Sequence, residues 1–324
     1  MLRRSCLIGI GHSLPNRVVE NSEFENWIET SDEWIEARSG IKRRHFADPD
    51  QKTSSLAINA AKAAIKDAKI EGFEIDAIIV ATSTPDTTFP SVATIVQGAL
   101  GIKTGFAYDV QAVCAGFVYA LANADALIIS KQADRVLVIG AETFSRIMDW
   151  KDRTTSVLFG DGAGAVILEA KACDETNSDH GILATDLHSD GEYRDLLYVD
   201  GGVSSTQTTG VLVMQGKEVF KHAVEKLSST AQTILSKAGL SPSDLDWMVP
   251  HQANLRIIKS TAQKLKIPME KVIVTVQEHG NTSAASIPLA LSIANSEKKF
   301  KKGDLILMEA IGGGLAWGSI LLRF

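Results

Sequence analysis

Ile75-Asp76-Ala77-Ile78-Ile79-Val80-Ala81 and Leu245-Asp246-Trp247-Met248-Val249-Pro250-His251 are two versions of one phrase: an apolar residue, an aspartate and a short uncharged run. Runs of this length, rich in Ile and Val, read as strands buried on both faces of a sheet. Each follows a stretch of helix composition, Ser54 to Lys69 before the first and Glu218 to Lys237 before the second. The likeness continues downstream. Cys114 opens a helix of small and apolar residues after Asp76, and Asn281 opens one at nearly the same distance after Asp246. Each then leads through a polar linker to a further strand, Arg135 to Gly140 or Leu305 to Glu309. The chain therefore reads as an α/β protein of two βαβ-type halves, 1–174 and 175–324, joined in the polar stretch Glu169 to His180. If the halves pack about a pseudo-twofold axis, equivalent helix N-termini meet at the centre and Cys114 and Asn281 become neighbours.

Other elements fit this pattern. Cys6 to Gly11 reads as a first strand, being too short for the apolar core of a signal peptide, and Ala163 to Leu168 and Val272 to Val276 read as further strands. Ala115 to Ser130 is apolar nearly all round, which predicts a helix in the middle of the molecule, while Leu255 to Leu265 has ordinary helix composition. Thr53 and Ser54 are expected to cap the helix that begins there. With 324 residues, 45% hydrophobic and 22% charged, the chain can bury a large core, and wholesale disorder is excluded. Its 33 Lys plus Arg against 39 Asp plus Glu give a net charge of −6, the wrong sign for a phosphate-binding surface, so no nucleic-acid partner is expected. The charge-free stretches 87–102 and 110–124 fall short of the roughly 18 apolar residues of a membrane span, so no membrane association is expected. Cys6, Cys114 and Cys173, without CxxC or Cys/His spacing, predict free thiols and a cytoplasmic setting, with no metal site.

Cys114 lies in Asp109-Val-Gln-Ala-Val-Cys-Ala-Gly-Phe117, at a helix start, where unpaired N–H groups and the helix dipole favour a nucleophilic thiolate. An inert buried cysteine is the plain alternative. His251 stands just past a strand, where α/β sheets place their ligands, and His279 competes for the same role. Asn281, in His279-Gly-Asn-Thr-Ser-Ala-Ala-Ser286, is either a helix cap or an amide donor aimed at a carbonyl oxygen. Gly160-Asp-Gly-Ala-Gly164 leads into a strand and not a helix, so it is no dinucleotide fingerprint. Gly312 to Gly314, after a strand, permits close backbone approach to a substrate or a tight turn.

With the phrases around them, Cys114, His251 and Asn281 resemble the thiolase superfamily, and closely the β-ketoacyl-acyl carrier protein synthase III family. Thr30-Ser-Asp-Glu-Trp-Ile35, Arg38-Ser-Gly-Ile41, Phe159-Gly-Asp-Gly-Ala-Gly-Ala165, Pro250-His-Gln-Ala-Asn-Leu-Arg-Ile-Ile258, the phrase at Asn281 and Gly312-Gly-Gly-Leu-Ala-Trp-Gly318 stand in the family's order over essentially the whole chain. The resemblance implies a thiolase-like fold in five layers (α-β-α-β-α), a homodimer, and condensation of a short acyl-CoA primer, acetyl-CoA first, with malonyl-acyl carrier protein. Acyl-CoA is then a substrate, and no cofactor is implied. By motif, Cys114 accepts the acyl group, the amides of Cys114 and Gly313 form an oxyanion hole, and His251 and Asn281 bind the malonyl thioester oxygen. Thr30, Trp34, Arg38, Arg153, Gly216, Phe220 and Asn254 are implied to line the CoA path, Phe89 of a partner subunit to close the acyl pocket, and Lys221, Arg256 and Lys264 to dock the carrier protein. Lys42 and Gln263 depart from the family's basic residues, which weakens the docking patch alone. Three rivals remain: a related CoA-condensing enzyme of secondary metabolism, a scaffold of the same fold without catalysis, and a Cys-His-Asn cysteine peptidase, whose C-G-x-C-W phrase is missing.

Overall fold

The computed structural model describes residues 2–173 and 180–324. The strand Ala77–Ala81 sorts the molecule into layers because its side chains alternate. Ile78 and Val80 pack against Leu56 and Ala60 of the helix Thr53–Ala68 and against Val92 and Val96 of the helix Val92–Ala99. Ala77, Ile79 and Ala81 face the other way, into a cluster with Phe117 and Leu121 of the helix Gly116–Ile129 and Ile287 and Leu291 of the helix Ser286–Ser296. Beyond these central helices a second sheet adds Val249, Ile306, Met308 and Ile320 to the same cluster. On its far face, Met248, Leu305, Leu307 and Leu321 meet Ala231 and Ile234 of the helix Gly216–Lys237 and Ile258 and Ala262 of the helix Leu255–Leu265. The order helix, sheet, helix, sheet, helix is the expected five-layered one.

The first sheet runs Leu2–Ser13, Asp161–Cys173, Arg135–Thr143, Ala77–Ala81, Phe106–Val110, and the second, from its far end, Gly181–Ser189, Ala316–Arg323, Leu305–Gly312, Trp247–Pro250. The strands bearing the repeated phrase lie parallel to their neighbours in matching register, Ala77 opposite Val136 and Trp247 opposite Ile306. The repeated aspartates have one job in both places. Asp76 Oδ2 accepts the amides of Asp134 and Arg135 at 2.8 and 2.9 Å, and Asp246 Oδ2 accepts that of Leu305 at 2.8 Å, so each satisfies backbone donors at the mouth of the next strand. Where the central turns approach the first sheet there is no room for a side chain: a Cβ on Gly140 would lie 2.1 Å from the Ala284 carbonyl oxygen.

The structure corrects two expectations. Val272 to Val276 is not a strand; Val272 makes a single parallel bridge to Met248, and the chain then coils into the helical turn Val276–His279. The Gln252 side-chain oxygen takes the amides of Thr275 and Val276, at 2.8 and 3.1 Å, which a strand would have offered to a ladder. Thr53 and Ser54 do not cap their helix, which starts after Lys52 with no side-chain cap; their hydroxyls bond the Thr84 carbonyl and Asp86. The expected boundary between 174 and 175 lies outside the described residues. Among the described residues, no helix is long and apolar enough to cross a membrane.

Candidate active site

Two short turns of the same construction meet at the centre. The first-sheet strand Phe106–Val110 ends before the helical turn Val113–Ala115, which carries Cys114 into the helix Gly116–Ile129, and Ser283–Ala285 leads likewise into the helix Ser286–Ser296. Each turn begins with a left-handed residue, Val113 and Ser283 both at φ 49°. For a β-branched valine this conformation is strained, at a cost of about 1–2 kcal/mol. Gly312 allows the second sheet to close on the first turn, since a Cβ there would stand 2.6 Å from the Cys114 nitrogen.

Cys114, His251 and Asn281 line one cavity of about 240 Å³ with an otherwise largely apolar wall that includes Phe159, Leu197 and Ile311. Cys114 is 4% exposed. Burial pushes its thiol up to about 12, the nearby Ser283 hydroxyl and its own backbone pull it down, and the Glu142 carboxylate pushes it up again. The expectation that the helix start would favour the thiolate is therefore corrected: desolvation outweighs the helix end.

His251 is held from both sides. Its amide bonds the Glu309 carbonyl at 2.8 Å and its Nδ1 lies 2.6 Å from the Ser286 hydroxyl, which also accepts the Gln252 amide at 3.3 Å. Burial lowers the imidazole to about 3, so the ring is neutral. A Ser286 hydroxyl that donates to Nδ1 while accepting from Gln252 would leave the ring proton on Nε2, facing the cavity. Asn281 is fixed by backbone bonds to Leu158 and Gly160, at 2.8 and 3.0 Å, and its Oδ1 accepts the Ser283 amide at 2.8 Å. The side-chain NH2 is the edge left for the cavity. His279, the competitor, does not line the cavity; its ring lies 5.7 Å from that of His45, tilted by 39°, and burial lowers it to about 3.

Trp34, Arg38, Gly216, Phe220 and Asn254 line the outer part of the same cavity. The Trp34 indole has the Arg38 guanidinium 4.5 Å and that of Arg153 4.9 Å from its centroid. Asn254 does double duty, capping the helix Leu255–Leu265 through the Arg256 amide at 2.8 Å and donating to the Arg38 carbonyl at 3.1 Å. Thr30 lies outside the cavity lining with a buried hydroxyl lacking a partner. The Gly313 backbone passes against Leu197, whose oxygen a Cβ would meet at 2.6 Å. Phe89 is outside its own chain's cavity and 83% exposed. Lys221, Arg256 and Lys264 are exposed on the two outer helices of the second half, with Arg256 5.7 Å from the Phe220 ring centroid.

Sequence reading missed three residues that the fold brings here: Glu142, Ser283 and Ser286. The signal for Glu142 was a carboxylate directly after an uncharged strand run, a place where it cannot reach solvent.

The chain matches the model described as 3-oxoacyl-[acyl-carrier-protein (ACP)] synthase III over residues 108–191 and the one described as its C-terminal part over 235–324. A protein of Paracoccus denitrificans named beta-ketoacyl-[acyl-carrier-protein] synthase III is 69% identical, with 100% of each chain covered, and one of Cereibacter sphaeroides is 67% identical over the same shares. The crystal structure of 3-oxoacyl-[acyl-carrier-protein] synthase III from Aquifex aeolicus superposes with a TM-score of 0.93 at 47% identity, covering 99% of this chain and 100% of that one.

Proposed function

This chain belongs to the β-ketoacyl-[acyl-carrier-protein] synthase III family, and from that premise we propose how its cavity divides the family's reaction between two sets of groups. It is an acyltransferase that condenses an acyl-CoA with malonyl-acyl carrier protein and so starts fatty-acid synthesis. The observation that carries the assignment of roles is the convergence of Cys114, His251 and Asn281 on one cavity.

In the first half-reaction the Cys114 sulfur attacks the thioester carbonyl of the primer, the C–S bond to CoA breaks, and an acyl-enzyme remains. The amides of Cys114 and Gly313 hold the oxygen while it is negative. In the second, the malonyl thioester oxygen lies between His251 Nε2–H and the Asn281 NH2. Loss of CO2 leaves charge on that oxygen, two neutral donors already in place stabilise the enolate without reorganisation, and each is worth about 3–4 kcal/mol. The enolate carbon then attacks the acyl carbonyl on Cys114 and expels the sulfur, giving the 3-oxoacyl product. Acyl-CoA is a substrate here, and the scheme calls on no cofactor.

Trp34 with Arg38 and Arg153 suits an adenine and its phosphates, since indole and guanidinium offer stacking and charge together. Thr30, Gly216, Phe220 and Asn254 are assigned to the rest of the CoA path. We place Phe89 at the end of the acyl pocket of a second copy, in a homodimer, and assign carrier-protein docking to Lys221, Arg256 and Lys264. The halves 1–174 and 175–324 are taken as the units, and the cytoplasm as the compartment. A solved priming β-ketosynthase of a polyketide pathway is 34% identical with a TM-score of 0.93, well below the 69% of the Paracoccus relative, so primary fatty-acid synthesis is preferred.

The test is incubation with labelled acetyl-CoA and malonyl-acyl carrier protein. Labelled 3-oxobutanoyl-acyl carrier protein is expected. Turnover of the malonyl substrate without carbon–carbon bond formation would sink the reading.

A further inference from the structure

Glu142, next to last in the strand Arg135–Thr143, is completely buried in the layer between the sheets where the two central turns meet. Its Oε2 is tied down by three donors, the Thr82 hydroxyl at 3.3 Å, the Ser83 amide at 3.0 Å and the Thr84 hydroxyl at 2.5 Å. Its Oε1 has no hydrogen-bond partner, and neither has the fully buried Ser283 hydroxyl. That hydroxyl influences both Glu142 and the Cys114 thiol without closing a bond of ordinary geometry to either. A carboxyl, a hydroxyl and a thiol are therefore shut in together, with half of the hydrogen-bonding capacity of the carboxyl unspent. A buried carboxylate oxygen with no donor is costly, and a proton relieves it.

We propose that Glu142 is a positioning residue that sets the protonation state of the nucleophile: Cys114 and Glu142 share one proton by way of Ser283 and titrate as a pair. The proposal builds on the assignment of Cys114 as the acyl acceptor. In the one-proton state the pair exists as thiol with carboxylate or as thiolate with carboxylic acid. Conversion breaks the Cys114 S–H bond as Ser283 Oγ takes that proton, while the Ser283 O–H proton passes to the carboxylate. One proton and one negative charge are present before and after. When the thiolate attacks a thioester, the charge leaves on the CoA sulfur, which takes a proton from solvent on release. Glu142 keeps its proton through the acyl-enzyme stage, and expulsion of the Cys114 thiolate by the enolate returns the pair to its one-proton state, with one proton consumed per turnover as CO2 is lost.

Burial pushes Glu142 up to about 7, against the pull of Thr84, Ser83, Ser283 and Thr82. On the turns 82–84, 113–115 and 283–285 the only ionisable group is Cys114. The strand and helices packed on the strand of Glu142 add Asp161, turned to Ala47 and Ser145, Asp125, turned to Ser5, Asp67, turned to the Ile10 amide, the exposed Lys62 and Lys66, and Glu169 beside Arg135 at the far end of the strand. Among the described residues no cation pairs with the Glu142 carboxyl, so once it is ionised the thiol resists ionisation, as coupled sites do. The device keeps a buried nucleophile as an unreactive thiol above neutral pH while leaving its proton an acceptor inside the closed site.

The test is the rate of Cys114 alkylation by iodoacetamide in the full-length protein without substrate, followed by mass spectrometry from pH 5 to 10. In the parental protein the rate should climb tenfold per pH unit up to about 7 and then flatten over the next one to two units. Glu142→Gln should keep climbing through that break and run about 10-fold or more faster at pH 9, the scale of a like charge removed from a buried neighbour. Glu142→Asp should retain a break. A melting temperature and far-UV circular dichroism spectrum of Glu142→Gln that match the parental protein separate this readout from loss of fold, and because alkylation is read without substrate it does not depend on the roles of His251 and Asn281. A parental profile with no break overturns the proposal without any variant, and coincident profiles for the parental protein and Glu142→Gln overturn it as well.

Discussion

Cys114 and Ala284 occupy matching places in the two halves: each is the second residue of a three-residue helical turn that starts at φ 49° and feeds a central helix. In the first half that place carries the thiol. In the second it is filled by a methyl group and a carbonyl that a side chain at Gly116 or Gly140 would meet at 3.4 and 2.1 Å. The second half keeps its chemistry on the approaches, with Asn281 ahead of the turn and His251 at the end of the strand Trp247–Pro250. The corresponding strand end of the first half, Thr82 to Thr84, does not line the cavity of Cys114 and instead holds Glu142. The two turns are equivalent in construction, and on the proposed roles they differ in use: one presents the nucleophile, the approaches to the other the donors. If the roles proposed above hold, the two half-reactions should fail independently, because they draw on different halves.

The largest effect should come from breaking the first half alone. Cys114→Ala should lose condensation and acyl-enzyme formation by more than about 10³-fold, while malonyl-acyl carrier protein is still decarboxylated. Adding Ala284→Cys to that variant places a thiol in the matching turn of the other half. It should restore no acyl-enzyme, because position 284 packs against Gly116 and Gly140 and does not line the cavity. Mass spectrometry after exposure to acetyl-CoA reads both outcomes, and acylation of the double variant would show the halves to be more alike than the geometry says.

The duplication was legible because it rests on local demands. Asp76 and Asp246 recur since the next strand in each sheet has backbone donors needing an acceptor, and Trp247–Pro250 and Leu255–Leu265 form with the bounds their composition predicts. Gly181–Ser189 and Ala316–Arg323 had no sequence reading: Thr185 and Asp186 interrupt the apolar run of one and Gly318 and Ser319 that of the other, and only pairing with one another and with Leu305–Gly312 makes them strands. The site divides the same way. Cys114, His251 and Asn281 sit in phrases that carry their own signal. Glu142, Ser283 and Ser286 matter through contacts made only when the halves close, and the height of the Cys114 pKa is likewise a property of that closure.

Breaking the second half should give the next largest effect. His251→Ala or Asn281→Ala should slow decarboxylation by about 10²- to 10³-fold, the scale of a lost oxyanion donor, while acetyl-CoA still labels Cys114. His251→Gln, which keeps an N–H donor, should retain more than His251→Ala. The pH dependence follows from the lowered imidazole. With its pKa at about 3, far below the ordinary 6.5, His251 is neutral at every pH above about 4, so decarboxylation by Cys114→Ala should show no step between pH 5 and 8. Were the donor an imidazolium, the rate would fall as pH rises through the ordinary histidine range.

The segments after the two equivalent strands also differ in direction. His251 turns into the cavity, whereas Thr82 to Pro90 runs outward to Phe89, 83% exposed on its own chain. If that ring closes the partner's acyl pocket, Phe89→Thr should shift kcat/KM from acetyl-CoA towards octanoyl-CoA by about 10-fold, since overfilling a packed site costs about 1–3 kcal/mol. A parental enzyme that already prefers dodecanoyl-CoA would remove the reason for placing Phe89 there.

The smallest effect belongs to the outer helices, where the comparison supplies its own control. Lys264 is exposed on the helix Leu255–Leu265 of the second half, and Lys62 is exposed on the helix Thr53–Ala68 of the first. Both carry one positive charge on an outer layer, and neither lines the cavity. An acidic carrier protein must bring its pantetheine arm to the mouth where Trp34, Phe220 and Asn254 open, and helix Leu255–Leu265 starts beside Asn254. Lys264→Glu should therefore raise KM for malonyl-acyl carrier protein by about 3- to 5-fold at low salt, the range of an exposed charge pair, leaving KM for acyl-CoA unchanged. Lys62→Glu should leave both constants alone. At about 0.5 M salt the difference between the variants should vanish, because screening there acts over less than the reach of a surface charge. Equal responses from the two lysines would mean that the carrier protein senses net charge and that docking has no side.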